Sequence, residues 1–146
     1  MREILFRAKR KNWSNLPKNE WWVEGIPIEI KDKMYMAVNY VDCEQITDFE
    51  MSQYILRKSF VEIDPETLCQ YTGLTDKNGK RIWENDIVRI ENSMDEGIGN
   101  IEFYGGMWYV DGEPSNSLYD IVEYDDAAEG EVIGNIFDNP ELLKGE

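Results

Sequence analysis

The sequence predicts a mainly β fold of the α+β class: a small antiparallel SH3-like barrel in the C-terminal half, plus an N-terminal strand-rich subdomain with one short helix. Three observations predict it. Short stretches of β-forming residues recur along the chain, turns rich in glycine, asparagine and aspartate separate them, and 12% of the 146 residues are aromatic. Such spacing is typical of small sandwiches and barrels.

The N-terminal half predicts strands in four places: 2–10, 20–30, 34–40 and 60–63. In the first, Ile4, Phe6 and Ala8 alternate with other residues, as in a half-buried strand. Pro27 confines part of the second strand to a sheet edge or a bulge, because proline cannot donate a ladder hydrogen bond.

One helix is predicted in this half. Between residues 47 and 58 the spacing of apolar side chains favours a short amphipathic helix, with Thr47 or Asp48 as its N-cap.

The C-terminal half predicts strands at 86–90, 98–104, 107–110 and 131–137. Asn78-Gly79 lies in a dense turn and supplies the positive φ that a tight hairpin requires. The three consecutive strands after it suggest a meander that closes into the barrel. Asn139-Pro140 predicts a final helical turn, with asparagine as N-cap and proline at the first helical position.

Charge divides the chain near Asp64. Residues 1–63 hold ten acidic and ten basic side chains, whereas 64–146 hold twenty acidic and five basic. We therefore predict two subdomains, 1–63 and 64–146, with one unit over 1–146 as the alternative. The net charge of -15 disfavours free nucleic acid as a partner and favours a basic one.

The composition removes several classes of protein. With no histidine, the sequence has no Ser–His or Cys–His dyad and no histidine-ligated zinc. Cys43 and Cys69 do not form a disulfide framework or a Cys-x-x-Cys metal pair. No apolar run approaches the length of a membrane helix. We expect a cytoplasmic protein without a cofactor.

Three segments resemble the YopX family of phage and prophage proteins. Residues 2–8 read REILFRA, residues 63–88 read IDPETLCQYTGLTDKNGKRIWENDIV, and residues 131–143 read EVIGNIFDNPELL. Two departures are Cys69 and Asn85, where glycine is common in the family. The resemblance implies an origin in a bacterial phage or prophage, and it implies no reaction, cofactor or catalytic residue.

Two groups of side chains are candidates for binding a partner. Aromatic residues either fill a core or anchor an interface. A cluster of carboxylates is either a solvated loop or a site for a hard cation. The cluster at Glu123, Asp125 and Asp126 lacks the ligand spacing of an EF-hand. The candidates are Trp83, Trp108, Tyr109, Glu123, Asp125 and Asp126.

These features predict a non-enzymatic accessory protein that binds another protein, basic or DNA-binding, through an acidic and aromatic surface. In one version the carboxylates mimic the DNA backbone. The sequence also allows an oligomer, because the basic start of one chain could pair with the acidic half of a sister subunit. One alternative is nucleic-acid binding through the N-terminal cations, and another is a metal-assisted hydrolase that uses carboxylates. The cations are Arg2, Arg7, Lys9, Arg10, Lys11 and Lys18.

Overall fold

The computed structural model describes residues 3–38, 59–91, 96–110 and 129–144. In chain order the strands are β1 (Phe6–Lys9), β2 (Trp22–Ile30), β3 (Lys33–Ala37), β4 (Phe60–Glu62), β5 (Cys69–Thr75), β6 (Arg81–Trp83), β7 (Asp86–Glu91), β8 (Glu96–Tyr104), β9 (Met107–Val110) and β10 (Glu129–Asn135). Short 3-10 helices cover Trp13–Asn15, Lys18–Glu20, Pro65–Thr67 and Pro140–Lys144. The predicted mainly β class is confirmed.

The chain divides into two compact units. The N-terminal unit is Leu5–Cys69, and the C-terminal unit combines Met1–Ile4 with Gln70–Glu146. The helix predicted over residues 47–58 lies outside the described residues.

In the N-terminal unit the strands run in the order β4-β3-β2-β1. β2 is shared, because its first half pairs with β1 and its second half pairs with β3. Ile63, directly after β4, bridges to Arg10, directly after β1, and so joins the first and last strands. The ring surrounds a core of Ala8, Val23, Met36 and Ile63, with Phe6, Met34, Val38, Val61 and Leu68 packed against it.

The turn between β2 and β3 consists of Lys31 and Asp32, both in the left-handed region with φ of 49° and 67°. Two consecutive left-handed residues match the right-handed twist of a two-residue hairpin. Pro27 lies opposite Met36 in the second half of β2, which pairs only with β3 among the described residues. This position agrees with the edge location that the sequence predicts for Pro27.

In the C-terminal unit, β5 and β6 form one antiparallel pair, and four further strands form a sheet in the order β10-β7-β8-β9. The core of this unit consists of Ile82, Val88, Ile90, Ile101, Val110 and Val132. Within the described ranges β9 and β10 do not pair with each other, so the SH3-like barrel closure stays a prediction.

Candidate interaction site

The β8–β9 hairpin carries a concentrated group of exposed apolar side chains in the C-terminal unit. The register pairs Phe103 with Trp108 and Tyr104 with Met107 across the turn. Gly105 and Gly106 form that turn with φ of 58° and 86°. Two positive φ values favour glycine at both places, so the sequence Tyr-Gly-Gly-Met makes a tight and well-defined tip.

The two faces of the hairpin differ. On the inner face, Ile101 and Val110 are fully buried, and Trp108 packs against the core. Phe103 meets Trp108 edge to face with ring centroids 4.8 Å apart. Edge-to-face contact is a favourable geometry for aromatic rings, so Trp108 connects the tip to the core.

The outer face presents Tyr104, Met107 and Tyr109, with the exposed carboxylate of Glu102 opposite Tyr109. Tyr104 is 77% exposed, Phe103 52% and Met107 46%. The Tyr109 hydroxyl donates to the Met107 sulfur at 3.8 Å, which ties the two side chains together. A cluster of this kind at one tip is the sort of exposed patch that marks an interaction surface.

The predicted partner-binding residues separate in the structure. Trp83 is only 4% exposed, lies against Tyr71 with centroids 5.4 Å apart, and donates its backbone N–H to Asp86 at 2.8 Å. It is therefore a core residue. Trp108 and Tyr109 both lie on β9, on opposite faces. The acidic candidates Glu123, Asp125 and Asp126 lie outside the described residues.

Arginine side chains of the C-terminal unit pair with carboxylates. Arg89 binds Glu131 at 3.1 Å, and Arg81 binds Glu3 at 3.2 Å. Since residues 64–146 contain twenty acidic and five basic side chains, these pairs leave a large acidic excess. On the hairpin itself, the exposed carboxylate of Glu102 has the opposite sign to a cationic partner.

The basic start of the chain is engaged within the N-terminal unit. The Lys9 ammonium lies among tryptophan rings, and the Arg10 Nε donates to the Glu20 carbonyl at 2.8 Å. Lys11 binds Glu62 at 2.9 Å. The hydrogen bond from Lys11 lowers the pKa of Glu62, and the same bond raises the pKa of Lys11. Lys9 is thus removed from the surface, and Arg10 and Lys11 have partners in their own unit with which a nucleic acid would have to compete.

This ion pair borders a cleft of about 250 Å³ that is lined by residues 11, 32–34 and 62–65. The cleft contains both cations and carboxylates.

No group of three or more aspartate, glutamate or cysteine side chains in the described part of the chain could hold a metal ion. Among the same residues, no helix is long and apolar enough to cross a membrane.

A family model described as YopX protein matches residues 6–144. The chain belongs to the YopX family. A solved relative in fold is the crystal structure of protein EF1440 from Enterococcus faecalis, with a TM-score of 0.58, 23% identity, and coverage of 98% of this chain and 99% of that chain. At this identity the likeness concerns the fold alone. No curated protein matches the chain.

The polar residues of the first long YopX-like segment hold backbone groups in place. Asp76 accepts from the N–H groups of Asn78 and Lys80 at 2.9 Å and from that of Val132 at 3.0 Å. The turn predicted at Asn78-Gly79 is present, with only Gly79 left-handed. Asn85, where the family commonly has glycine, has a φ of 69° and so takes the conformation that glycine favours.

The last YopX-like segment acts in the same way. The Asn135 side chain accepts from the N–H groups of Phe137 and Asp138 at 3.0 and 2.9 Å. The helical turn predicted at Pro140 is present. The Asn139 carboxamide accepts from Asn135 N at 3.3 Å. A β-carbon at Gly134 would lie 2.5 Å from that Asn139 oxygen. In both YopX-like segments, these polar side chains therefore fix the backbone of turns and strand ends.

The exposed Phe103 and Met107 were not among the sequence candidates. Their signal was the double glycine at 105–106, which fixes the register of β8 and β9 once a two-residue hairpin is assumed. Alternation from that point places Tyr104 and Met107 on one face and Phe103 and Trp108 on the other. Exposure itself depends on which elements cover each face, and the sequence pattern does not contain that information.

Proposed function

We propose that this YopX family chain is a non-enzymatic protein-recognition module, and that the β8–β9 hairpin is its contact surface. The observation that carries the proposal is the exposure of Phe103, Tyr104 and Met107 together at one tip. Aromatic and methionine side chains are enriched at protein interfaces, where they exclude water and fill pockets.

The hairpin is suited to this role because its tip is supported from within. Trp108 connects Phe103 to the core that contains Ile101 and Val110, so Phe103 loses little side-chain freedom when a partner binds. The partner we propose is a protein segment that presents apolar side chains beside lysine or arginine. Its cations would meet Glu102 and the acidic excess of residues 64–146.

The resemblance to YopX proteins supports an accessory role of this kind in a phage or prophage. The DNA-mimic version has only the acidic count as support, because Glu123, Asp125 and Asp126 lie outside the described residues. Nucleic-acid binding through the N-terminal strand has less support, since Lys9, Arg10 and Lys11 make contacts inside their own unit.

The test compares three tagged proteins in bacterial lysate: wild type, the double variant Tyr104→Ser/Met107→Ser, and the control Leu143→Ser. Leu143 is 39% exposed, comparable with Met107 at 46%, but lies in the final helical turn. We expect one or more proteins to be recovered by wild type and the control, and about tenfold less by the double variant. A photo-crosslinking residue at position 104 should label the same protein.

Salt and nuclease arms separate the alternatives. Recovery that survives nuclease and falls moderately with salt agrees with protein recognition. Recovery of nucleic acid that nuclease abolishes, unchanged in the double variant, would contradict the proposal. Equal protein recovery by all three proteins would place the contact surface elsewhere.

A further inference from the structure

A lysine side chain in the N-terminal unit is enclosed by three tryptophans. Lys9 is 2% exposed, although lysine usually keeps its charged head in water. Its ammonium nitrogen lies 3.8 Å from the ring centre of Trp13, 4.5 Å from that of Trp21 and 5.7 Å from that of Trp22. All three distances are within the range of a cation–π contact. We call these four residues the tryptophan cage.

The fold brings the cage together from two directions. Trp22 is the β2 partner of Lys9 in the strand register, so both side chains lie on the same face. Trp13 and Trp21 come from the connection between β1 and β2, and their rings meet edge to face at 4.9 Å. The Trp21 indole N–H donates to the Leu16 carbonyl at 2.9 Å, which fixes the orientation of that ring.

The backbone of Lys9 is held independently of its ammonium group. Its N–H donates to the Thr67 hydroxyl at 2.8 Å, and its carbonyl accepts from the Asp64 N–H at 2.9 Å. Shortening the side chain therefore leaves these two backbone bonds available. The cage walls also have contacts of their own, so loss of the ammonium group should leave a formed pocket.

Tryptophan faces around a cation are the arrangement by which proteins recognise alkylammonium groups. The Arg7 guanidinium also lies 4.6 Å from the ring centre of Trp22, and the Lys18 ammonium lies 5.8 Å from that of Trp21, so Lys9 shares two of the three walls with other cations. We propose that the tryptophan cage is an ammonium-binding site that the chain closes with its own Lys9. A free primary alkylammonium ion of matching size occupies the cage when the Lys9 side chain is shortened. This inference concerns the N-terminal unit and is independent of the function proposed for the β8–β9 hairpin.

The test is a rescue of Lys9→Ala by n-propylammonium chloride, which replaces the atoms that the substitution removes. Lys9→Ala should melt about 5 °C or more below wild type, and n-propylammonium should raise its melting temperature in a saturable way. Sodium chloride controls for ionic strength, and 1-propanol is the neutral compound of equal size. Lys9→Met is the matched variant, because its side chain fills the space without a charge.

The five tryptophans supply a site-specific readout. In spectra of ¹⁵N-labelled Lys9→Ala, the added ion should shift the indole N–H signals of Trp13, Trp21 and Trp22 and leave those of Trp83 and Trp108 unchanged. The proposal is overturned if 1-propanol rescues as well as n-propylammonium, if Lys9→Met responds equally to the ion, or if Lys9→Met is as stable as wild type.

A measurement on the wild-type chain keeps the proposal testable even if Lys9→Ala does not fold. Protons on the carbon next to the ammonium group should resonate upfield of those in other lysines, because aromatic rings surround them. Reductive methylation should spare Lys9 while it modifies the exposed Lys33. Ordinary lysine chemical shifts, or rapid methylation of Lys9, would contradict the cage.

Discussion

Two aromatic clusters have opposite arrangements in this protein. In the N-terminal unit the tryptophan cage turns inward around a cation, and Lys9 at its centre is 2% exposed. In the C-terminal unit the β8–β9 hairpin turns outward, and Tyr104 at its tip is 77% exposed. Aromatic content alone therefore does not distinguish a structural cluster from a recognition surface. The distinction depends on whether the ring faces contact a side chain of the same unit or solvent.

The largest expected effect is on stability, from the loss of one wall of the cage. Trp13→Ala should lower the free energy of unfolding by about 2–4 kcal/mol, because packing against Trp21 and the contact with Lys9 are both lost. Tyr104→Ala should change it by only about 0.5 kcal/mol, since that side chain is mostly in solvent. Denaturant unfolding of both variants measures the contrast.

A double-mutant cycle sharpens this result. If Trp13 acts through the cation, Lys9→Met should cost less in the Trp13→Ala background than in wild type. Equal costs for Trp13→Ala and Tyr104→Ala would remove the distinction between the two clusters.

A smaller effect is expected at Trp108, which lies between the exposed tip of the β8–β9 hairpin and the core. Its indole nitrogen is buried and has no hydrogen-bond partner within the described part of the chain. Trp108→Phe removes that unsatisfied donor, which offsets the lost packing, so we expect a change within about 1 kcal/mol. Trp83→Phe should cost about 1–3 kcal/mol, because Trp83 is 4% exposed and packs against Tyr71.

Denaturant unfolding measures the change in the free energy of unfolding for both Trp108→Phe and Trp83→Phe, and each variant is the control for the other. A large loss for Trp108→Phe would mean that the indole makes a stabilising contact that its geometry does not suggest. In that case Trp108 would be a structural residue, as the tryptophans of the cage are.

Sequence patterns predicted the strands well because alternation and turn chemistry are local. The strands at 86–90, 107–110 and 131–137 correspond to β7, β9 and β10 with shifts of at most two residues. β5 and β6 were missed. They flank the predicted turn at Asn78-Gly79, but β6 has only three residues, and the pairing shifts register between Tyr71 and Thr75. Short, irregular pairs lack a readable period.

The candidate site was predicted less completely, because burial is a property of the whole fold. Trp83 and Trp108 have the same side chain and both lie in short strands, yet only Trp108 borders an exposed tip. Likewise, the cations at the start of the chain suggested a phosphate-binding face, whereas Lys9 is enclosed by rings that come from residues 13–22. Sequence alternation gives the face of a strand and does not give what covers it.

The smallest effect concerns two lysines of the basic start that differ in burial. Lys9 is surrounded by aromatic rings, whereas Lys11, with its side chain 62% exposed, binds Glu62 at 2.9 Å. An exposed ion pair is screened by salt, whereas a buried cation–π contact is screened much less. We therefore expect 1 M sodium chloride, about a 3 Å Debye length, to abolish the stability difference between wild type and Glu62→Gln. The difference between wild type and Lys9→Met should persist.

The same pair predicts a pH dependence with a definite sign. Because the pKa of Glu62 is lowered from 4.5, its contribution is present above pH 4.5 and is lost as the pH falls through the lowered value. Because the pKa of Lys11 is raised from 10.5, its contribution is present below pH 10.5 and is lost as the pH rises through the raised value. Unfolding of wild type and Glu62→Gln across this range should converge at both ends. A difference that is independent of both pH and salt would mean that Glu62 stabilises the unit by packing and not through its ion pair with Lys11.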